Sequence, residues 1–342
     1  VTSILDAPAA AFAAEAVREA ALLVRQVQGA LVGPSLTKGD KSPVTVADFA
    51  AQALVAQRLA ERFPEAKLIG EEDAAALRTE TGRGTLEQVA RFVGSVLPTA
   101  APETICEWID RGAGQPPASF WTLDPVDGTK GFLRREQYAV ALALVENGEV
   151  RVGALACPEL KLGLHPHLGG PGSLVVAVRG EGAWMRPLVG DDHEWRRIRV
   201  SETVEPAFAR VLRSVEKAHT DKDGIGTIMT ELSITAPPVE MDSQAKYAVL
   251  AAGGGEILLR LLSPDRPDYR EMIWDQAAGS IIVEEAGGRI TDLDGADLDF
   301  SRGRTLAGNR GIVATNGALH DKVLNALRAM KVARLPEGER WG

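Results

Sequence analysis

Between residues 8 and 31 apolar side chains recur at helical spacing: an alanine-rich start is followed by Val17, Leu22, Val24, Val27 and Leu31, and Gly33-Pro34 closes the run. One amphipathic helix is predicted there. After the polar loop Lys38-Gly39-Asp40-Lys41, the stretch Pro43-Val44-Thr45-Val46 reads as extended. Asp48 then stands at the start of a second helix that turns Leu54, Val55 and Leu59 inward until Phe63-Pro64 stops it. Leu68-Ile69-Gly70 reads as a short strand ending at Glu71-Glu72, and helices are expected around 85–97 and 102–111.

From Phe120 the pattern changes to strands: Trp121-Thr122-Leu123, then 139–146, a turn at Asn147-Gly148, and 150–156 as hairpin partner. Strands over 173–178, 182–185 and 197–200 continue the meander, so a large antiparallel sheet with helices is expected for residues 1–203. After Glu205-Pro206 strands and helices alternate: strand 210–214, helices 221–232 and 243–252, strand 256–262, helix 275–286 and strand 311–315. That order predicts an α/β portion over 204–342.

A chain of 342 residues exceeds what one typical core supports, so two portions are expected on size as well. The formal charge is 38 − 47 = −9, spread along the chain, which argues against nucleic acid or an anionic membrane as partner. A small anionic ligand would need local cations or a bound divalent metal to offset that field. Cys106 and Cys157 stand far apart without Cys-x-x-Cys spacing, so neither a disulfide framework nor a zinc site is indicated. With no basic, apolar leader and no long apolar run, a cytoplasmic monomer is the expectation.

The strongest local signal is Trp121-Thr122-Leu123-Asp124-Pro125-Val126-Asp127-Gly128-Thr129-Lys130-Gly131-Phe132, an apolar strand ending in two carboxylates three residues apart. Pro125 stiffens the turn, Gly128 lets backbone approach a ligand, and the amides of Gly128 and Thr129 would open the next helix where a phosphate sits well. The Val126 carbonyl adds an oxygen between the two acids. Hard cations such as Mg²⁺ take oxygen ligands, and Glu71 and Asp275 are two further carboxylates presented at the ends of regular elements. Spacing alone leaves a capped turn open for Asp124 and Asp127, and a helix cap open for Asp48.

Gly70-Glu71-Glu72, Asp124-Pro125-Val126-Asp127-Gly128-Thr129 and Trp274-Asp275-Gln276-Ala277-Ala278-Gly279 occur in this order in the inositol monophosphatase-like superfamily, which the chain resembles from about Ser42 to Gly317. Within it the chain looks most like the lithium- and sodium-sensitive 3′(2′),5′-bisphosphate nucleotidases. Four segments carry that narrower likeness: Ser42-Pro43-Val44-Thr45 with Asp48 and Ala50-Ala51-Gln52; Lys130-Gly131-Phe132-Leu133-Arg134; Asp242-Ser243-Gln244-Ala245-Lys246-Tyr247; and Gly303-Arg304-Thr305-Leu306-Ala307. The resemblance implies a layered αβαβα sandwich with the site between two portions. It assigns two or three Mg²⁺ ions to Glu71, Asp124, Asp127 and Asp275, to which the residues themselves add the Val126 carbonyl, and activation of the attacking water to Thr129 with Asp48.

The same resemblance gives the 5′-phosphate of the nucleotide to Ser243, Lys246 and Arg260, and the adenine to His219. On residues alone, Lys246 also fits a solvated helix face and His219 a loop histidine, whereas Arg260 amid apolar strand residues demands a partner. Lys217-Ala218 replaces a glycine of the family before the histidine, which bears on the base-side wall, and Phe49 after Asp48 reads as packing. His165-Pro166-His167 reads as a surface turn and Gly253-Gly254-Gly255 as a helix stop. The implied activity is Mg²⁺-dependent hydrolysis of 3′-phosphoadenosine 5′-phosphate to AMP, extending to its phosphosulfate form. An inositol phosphate phosphatase and a nucleotide sensor without turnover are the alternatives.

Overall fold

Alanine and proline determine how the chain begins. The computed structural model describes residues 4–32, 42–161, 165–166, 171–191, 194–215, 220–263 and 265–330. Helix α1 (Pro8–Leu31) has proline in its first turn, and α2 (Ser42–Arg62) has Pro43 there too, where the missing N–H leaves no bond unmade. The segment 43–46 is therefore helical and not extended, and Asp48 lies inside α2, so it is not a helix cap. Buried alanines on both helices, among them Ala13, Ala20, Ala47 and Ala51, let α1 and α2 pack closely.

Beyond α2 come β1 (Leu68–Gly70), α3 (Arg83–Val96), α4 (Pro102–Asp110), β2 (Ser119–Asp127), α5 (Thr129–Arg134), β3 (Ala139–Glu146) and β4 (Glu149–Cys157). The short ladder β5 (Leu160–Lys161) and β6 (His165–Pro166) takes up part of the expected surface turn, and His167 lies outside the described residues. Strands β7 (Ser173–Val178), β8 (Gly182–Pro187) and β9 (Arg196–Ile198) complete a seven-stranded sheet in the order β1-β2-β3-β4-β7-β8-β9. It is not wholly antiparallel, because β1 joins its edge parallel to β2.

The remainder supplies β10 (Val211–Arg213), α6 (Lys222–Glu231), β11 (Val239–Glu240), α7 (Ala245–Ala251), β12 (Ile257–Arg260), α8 (Ala277–Glu285), β13 (Arg289–Thr291), β14 (Ile312–Thr315) and α9 (His320–Ala329). Its strands form a five-stranded mixed sheet in the order β11-β10-β12-β14-β13.

Alternation along the large sheet explains the layering. Val140 and Leu142 of β3 join the core shared with α1 and α2, while Ala139, Ala141 and Ala143 face a second core with α7, α8 and the small sheet. A third core lies between the small sheet and α6 and α9. The result is the expected αβαβα sandwich, with the large sheet buried on both faces.

The α8-facing side of the large sheet is small-residued because the helix comes close: a Cβ at Gly153 would stand 2.4 Å from Ile281 Cγ2. Within α8, a Cβ on Gly279 would stand 2.1 Å from Tyr247 Cδ2, and Tyr247 is fully enclosed. A Gly279→Ala change is expected to cost about 1–3 kcal/mol by overpacking, outweighing alanine's better helix propensity of roughly 1 kcal/mol. Urea unfolding of the two chains measures it, and an unchanged or raised midpoint would show that Tyr247 gives way freely.

Candidate active site

The end of β2 is built by one irregularity. Along a regular strand, residues three apart face opposite sides, yet Asp124 pairs with Ala141 and Asp127 with Ala139. Three steps on β2 therefore match two on β3, and the extra residue brings both carboxylates to the same face. Parallel pairing of Gly70 with Leu123 sets Glu71 beside Asp124. Asp275 arrives from the other portion, two residues before α8, whose first turn hangs on the Ile273 carbonyl.

These four acids line a cavity of about 360 Å³ between the portions. Asp124 is almost fully enclosed, its Oδ1 lacks any hydrogen-bond partner, and the carboxyl is in hydrogen-bond contact with both Glu71 and Asp275. Such contacts between carboxyl groups need a shared proton or a cation. Burial, then the charges of Glu71, Asp127, Asp275 and Asp48, hold Asp124 well above the ordinary carboxylate range. Desolvation in the cleft, then Asp275, Glu72 and Asp127, push Glu71 up to about 8, although its side chain still opens onto the cavity. Loss of solvent likewise pushes Asp275 up to about 7, with Arg260 opposing and Asp127 and Glu271 reinforcing.

Thr129 begins α5 and is exposed at the cavity, as is the backbone of Gly128, held at φ 91°. Asp48 is buried behind the acids, its carboxyl raised first by burial and then by Glu72 and Glu71. No hydrogen bond joins Asp48 to Thr129 among the described residues. Burial of Asp48 beside this cluster, deep inside a helix, is what a cap would not show.

The same cavity is also lined by cations. Lys246 is buried in α7 and not on a solvated face; its ammonium donates to the carbonyls of Ser243 at 2.7 Å and Met241 at 3.3 Å. Burial lowers Lys246 to about 8 despite the opposing charge of Asp127. Ser243 precedes α7 and is not the first residue of the helix expected over 243–252, because at φ 66° it is left-handed and cannot continue a helix. That turn presents the Gln244 N–H to Asp127 Oδ2 at 2.6 Å, and Gly128 must lack a side chain because its Cβ would stand 2.9 Å from Ser243 Cβ. Arg134 of α5 pairs with the buried Asp242, so two segments singled out in the sequence lock together.

Arg260 finds the partner its apolar setting demanded in Glu271, at 2.7 Å, and stands 3.9 Å from Asp275. Glu271 was missed from the sequence; the unpaired charge on a strand was the signal, but which loop acid answered it was not legible. His219, with Lys217 and Ala218, lies outside the described residues.

The sequence pattern of the inositol monophosphatase family matches residues 5–331. The chain belongs to this family. It is 41% identical, over 94% of its length and 97% of the relative's, to a 3′(2′),5′-bisphosphate nucleotidase of Emericella nidulans. It is 42% identical to one of Oryza sativa over 93% of each chain. Among solved structures it matches an IMPase of Thermotoga maritima with TM-score 0.61 and 22% identity, covering 94% of this chain and 98% of the other, which shares the fold.

Inositol monophosphatase family members are metal-dependent phosphatases, and the residues here fit such a group. The donors are all carboxylate oxygens suited to a hard divalent cation, and the orphaned Asp124 Oδ1 points to a missing positive partner. Among the described residues no three acids are already closed into an ion-holding arrangement; the fit rests on the pairwise contacts through Asp124. No described helix is long and apolar enough to cross a membrane.

Proposed function

We propose that this chain hydrolyses the 3′-phosphate of 3′-phosphoadenosine 5′-phosphate to AMP and phosphate, and the phosphosulfate form likewise, with two or three Mg²⁺ ions. The observation that carries this reading is the mixed lining of one cavity, which brings the acids Glu71, Asp124, Asp127 and Asp275 together with the cations Lys246 and Arg260. A ligand with two phosphates satisfies both. The names of the Emericella and Oryza relatives support the same substrate.

The four acids, with the Val126 carbonyl, would hold the cations, which supply Lewis acidity to phosphoryl displacement. Thr129 orients the attacking water, and Asp48 acts through it as proton acceptor. The amides of Gly128 and Thr129 receive the oxygens of the scissile phosphate, as donors aimed at developing charge. Lys246 and Arg260 keep N–H donors beyond those used on Ser243, Met241 and Glu271, and with Ser243 these bind the 5′-phosphate. His219 is assigned to the adenine. The reading includes a cytoplasmic monomer in two portions divided near residue 204, and the two buried free thiols Cys106 and Cys157 suit a reducing compartment.

Phosphate release from 3′-phosphoadenosine 5′-phosphate, inositol 1-phosphate and inositol 1,4-bisphosphate, each with Mg²⁺ and with EDTA, tests the proposal. A kcat/KM for the nucleotide about tenfold or more above the inositol phosphates is expected, the discrimination of one charge-assisted contact. Preference for the inositol substrates would make the chain an inositol phosphate phosphatase, and nucleotide binding without release would make it a sensor.

A further inference from the structure

Arg304 belongs to the Gly303–Ala307 segment, to which neither the acids nor the cations of the cavity give a task. Its guanidinium forms a fork on three carbonyls of the opposite portion: Nη2 donates to Gly70 at 2.5 Å, and Nη1 to Gly112 at 3.2 Å and Gly114 at 3.1 Å. The same planar group lies over the Trp274 ring, 4.7 Å from its centroid. Gly70 immediately precedes Glu71, and Trp274 immediately precedes Asp275. The Arg304 main chain adds to the grip, since the Ile273 N–H donates to its carbonyl at 3.1 Å and Met272 bridges Thr305.

We propose that Arg304 is a positioning residue that sets the separation of Glu71 and Asp275, two acids brought to the cavity from opposite portions of the fold. Two further contacts make the arrangement specific. Gln52 grips Glu72 at both backbone groups, donating from Nε2 to its carbonyl at 2.6 Å and accepting its N–H at 3.1 Å, so the residue after Glu71 is held while Arg304 holds the one before it. Gln244 holds the Trp274 carbonyl at 3.0 Å, which leaves the Trp274 ring as the side that Arg304 sets. Only a planar guanidinium can serve three carbonyls and stack on a ring at once; an ammonium of equal charge cannot.

The inference rests on the reading that these acids hold a divalent cation. Its test is calorimetric titration of the full chain with Mg²⁺ alone, comparing the wild type with Arg304→Lys, Arg304→Gln and Trp274→Leu, with urea midpoints as a control for folding. Both arginine variants are expected to bind Mg²⁺ about 10–100-fold more weakly, the usual effect of removing a group that orients a ligand. Trp274→Leu should shift affinity in the same direction, and the Mg²⁺ concentration for half-maximal phosphate release should rise in parallel while nucleotide KM at saturating Mg²⁺ stays near the wild-type value. Unchanged Mg²⁺ affinity in Arg304→Lys, with only a lowered urea midpoint, overturns the proposal. Should Arg304→Gln not fold, Arg304→Lys and Trp274→Leu decide by the same criterion. A wild type that binds Mg²⁺ but releases no phosphate would remove the phosphatase reading and leave the positioning role standing.

Discussion

An Asp124→Asn chain is expected to melt above the wild type in EDTA and to release phosphate about 10³-fold more slowly in Mg²⁺, the scale of losing one preorganised electrostatic contact at a reacting group. Asp124 is enclosed, touches two other carboxyl groups and has an oxygen without a partner. Asparagine keeps the shape, removes one charge and offers an N–H to Glu71 or Asp275. A bound cation would offset the repulsion that asparagine relieves, so stability and activity should move in opposite directions. In a chain of 342 residues, 1 kcal/mol corresponds to a rise of about 1–2 °C.

The sign with pH follows from the same groups. Glu71 and Asp275 titrate near 8 and 7 in the folded chain, against about 4 when unfolded. Between those limits the folded state holds more protons, so stability without metal is greatest at the acid end of the window and falls as pH rises from about 4 to 8. Thermal scans in EDTA from pH 5 to 8 should show that decline in the wild type and a shallower one in Asp124→Asn. A variant that melts below the wild type at pH 8 would mean the acids do not strain the fold.

Much of this site was legible because its acids are signalled locally. Asp124 and Asp127 follow an apolar strand, and Glu71 and Asp275 sit at element ends, so residue types and neighbours sufficed. What local pattern cannot carry is register. That Asp124 and Asp127 share a face depends on an extra residue opposite Ala139 and Ala141, and that Glu71 lies beside Asp124 depends on parallel pairing across about fifty intervening residues. Pro43 was ambiguous by nature, since proline suits both an extended segment and a first helical turn, and only tertiary packing chose the helix. Strands β11 and β13 span two and three residues, too short to show alternation.

The roles of charged residues outside the acid cluster divide along the same line. Arg260 announced its need for a counterion, yet Glu271 was one loop acid among several until the fold paired them. Arg304, Gln52 and Gln244 act on backbone carbonyls and amides of distant segments, contacts for which sequence has no periodicity or spacing. The segments that hold these three residues stand out in the sequence, but which distant backbone groups each would hold was not legible there.

Lys246→Ala is expected to raise KM for 3′-phosphoadenosine 5′-phosphate about 10²-fold and KM for adenosine 3′-monophosphate far less, the loss of a charge-assisted contact of roughly 1.5–3 kcal/mol. Both substrates present the same scissile phosphate, so only the 5′-phosphate separates them. Lys246 also holds the Ser243 carbonyl in its left-handed turn, and that turn supports Asp127 through Gln244, so some loss of kcat common to both substrates should accompany the change. The pH profile isolates the charge from the scaffold. Burial lowers Lys246 to about 8, so its ammonium is present below that pH and disappears above it. In the wild type, KM for the bisphosphate should climb above pH 8 while KM for adenosine 3′-monophosphate stays level; in Lys246→Ala that difference in slope should vanish. Equal shifts for both substrates, at every pH, would remove Lys246 from the 5′-phosphate and leave it as the support of the Ser243 turn alone.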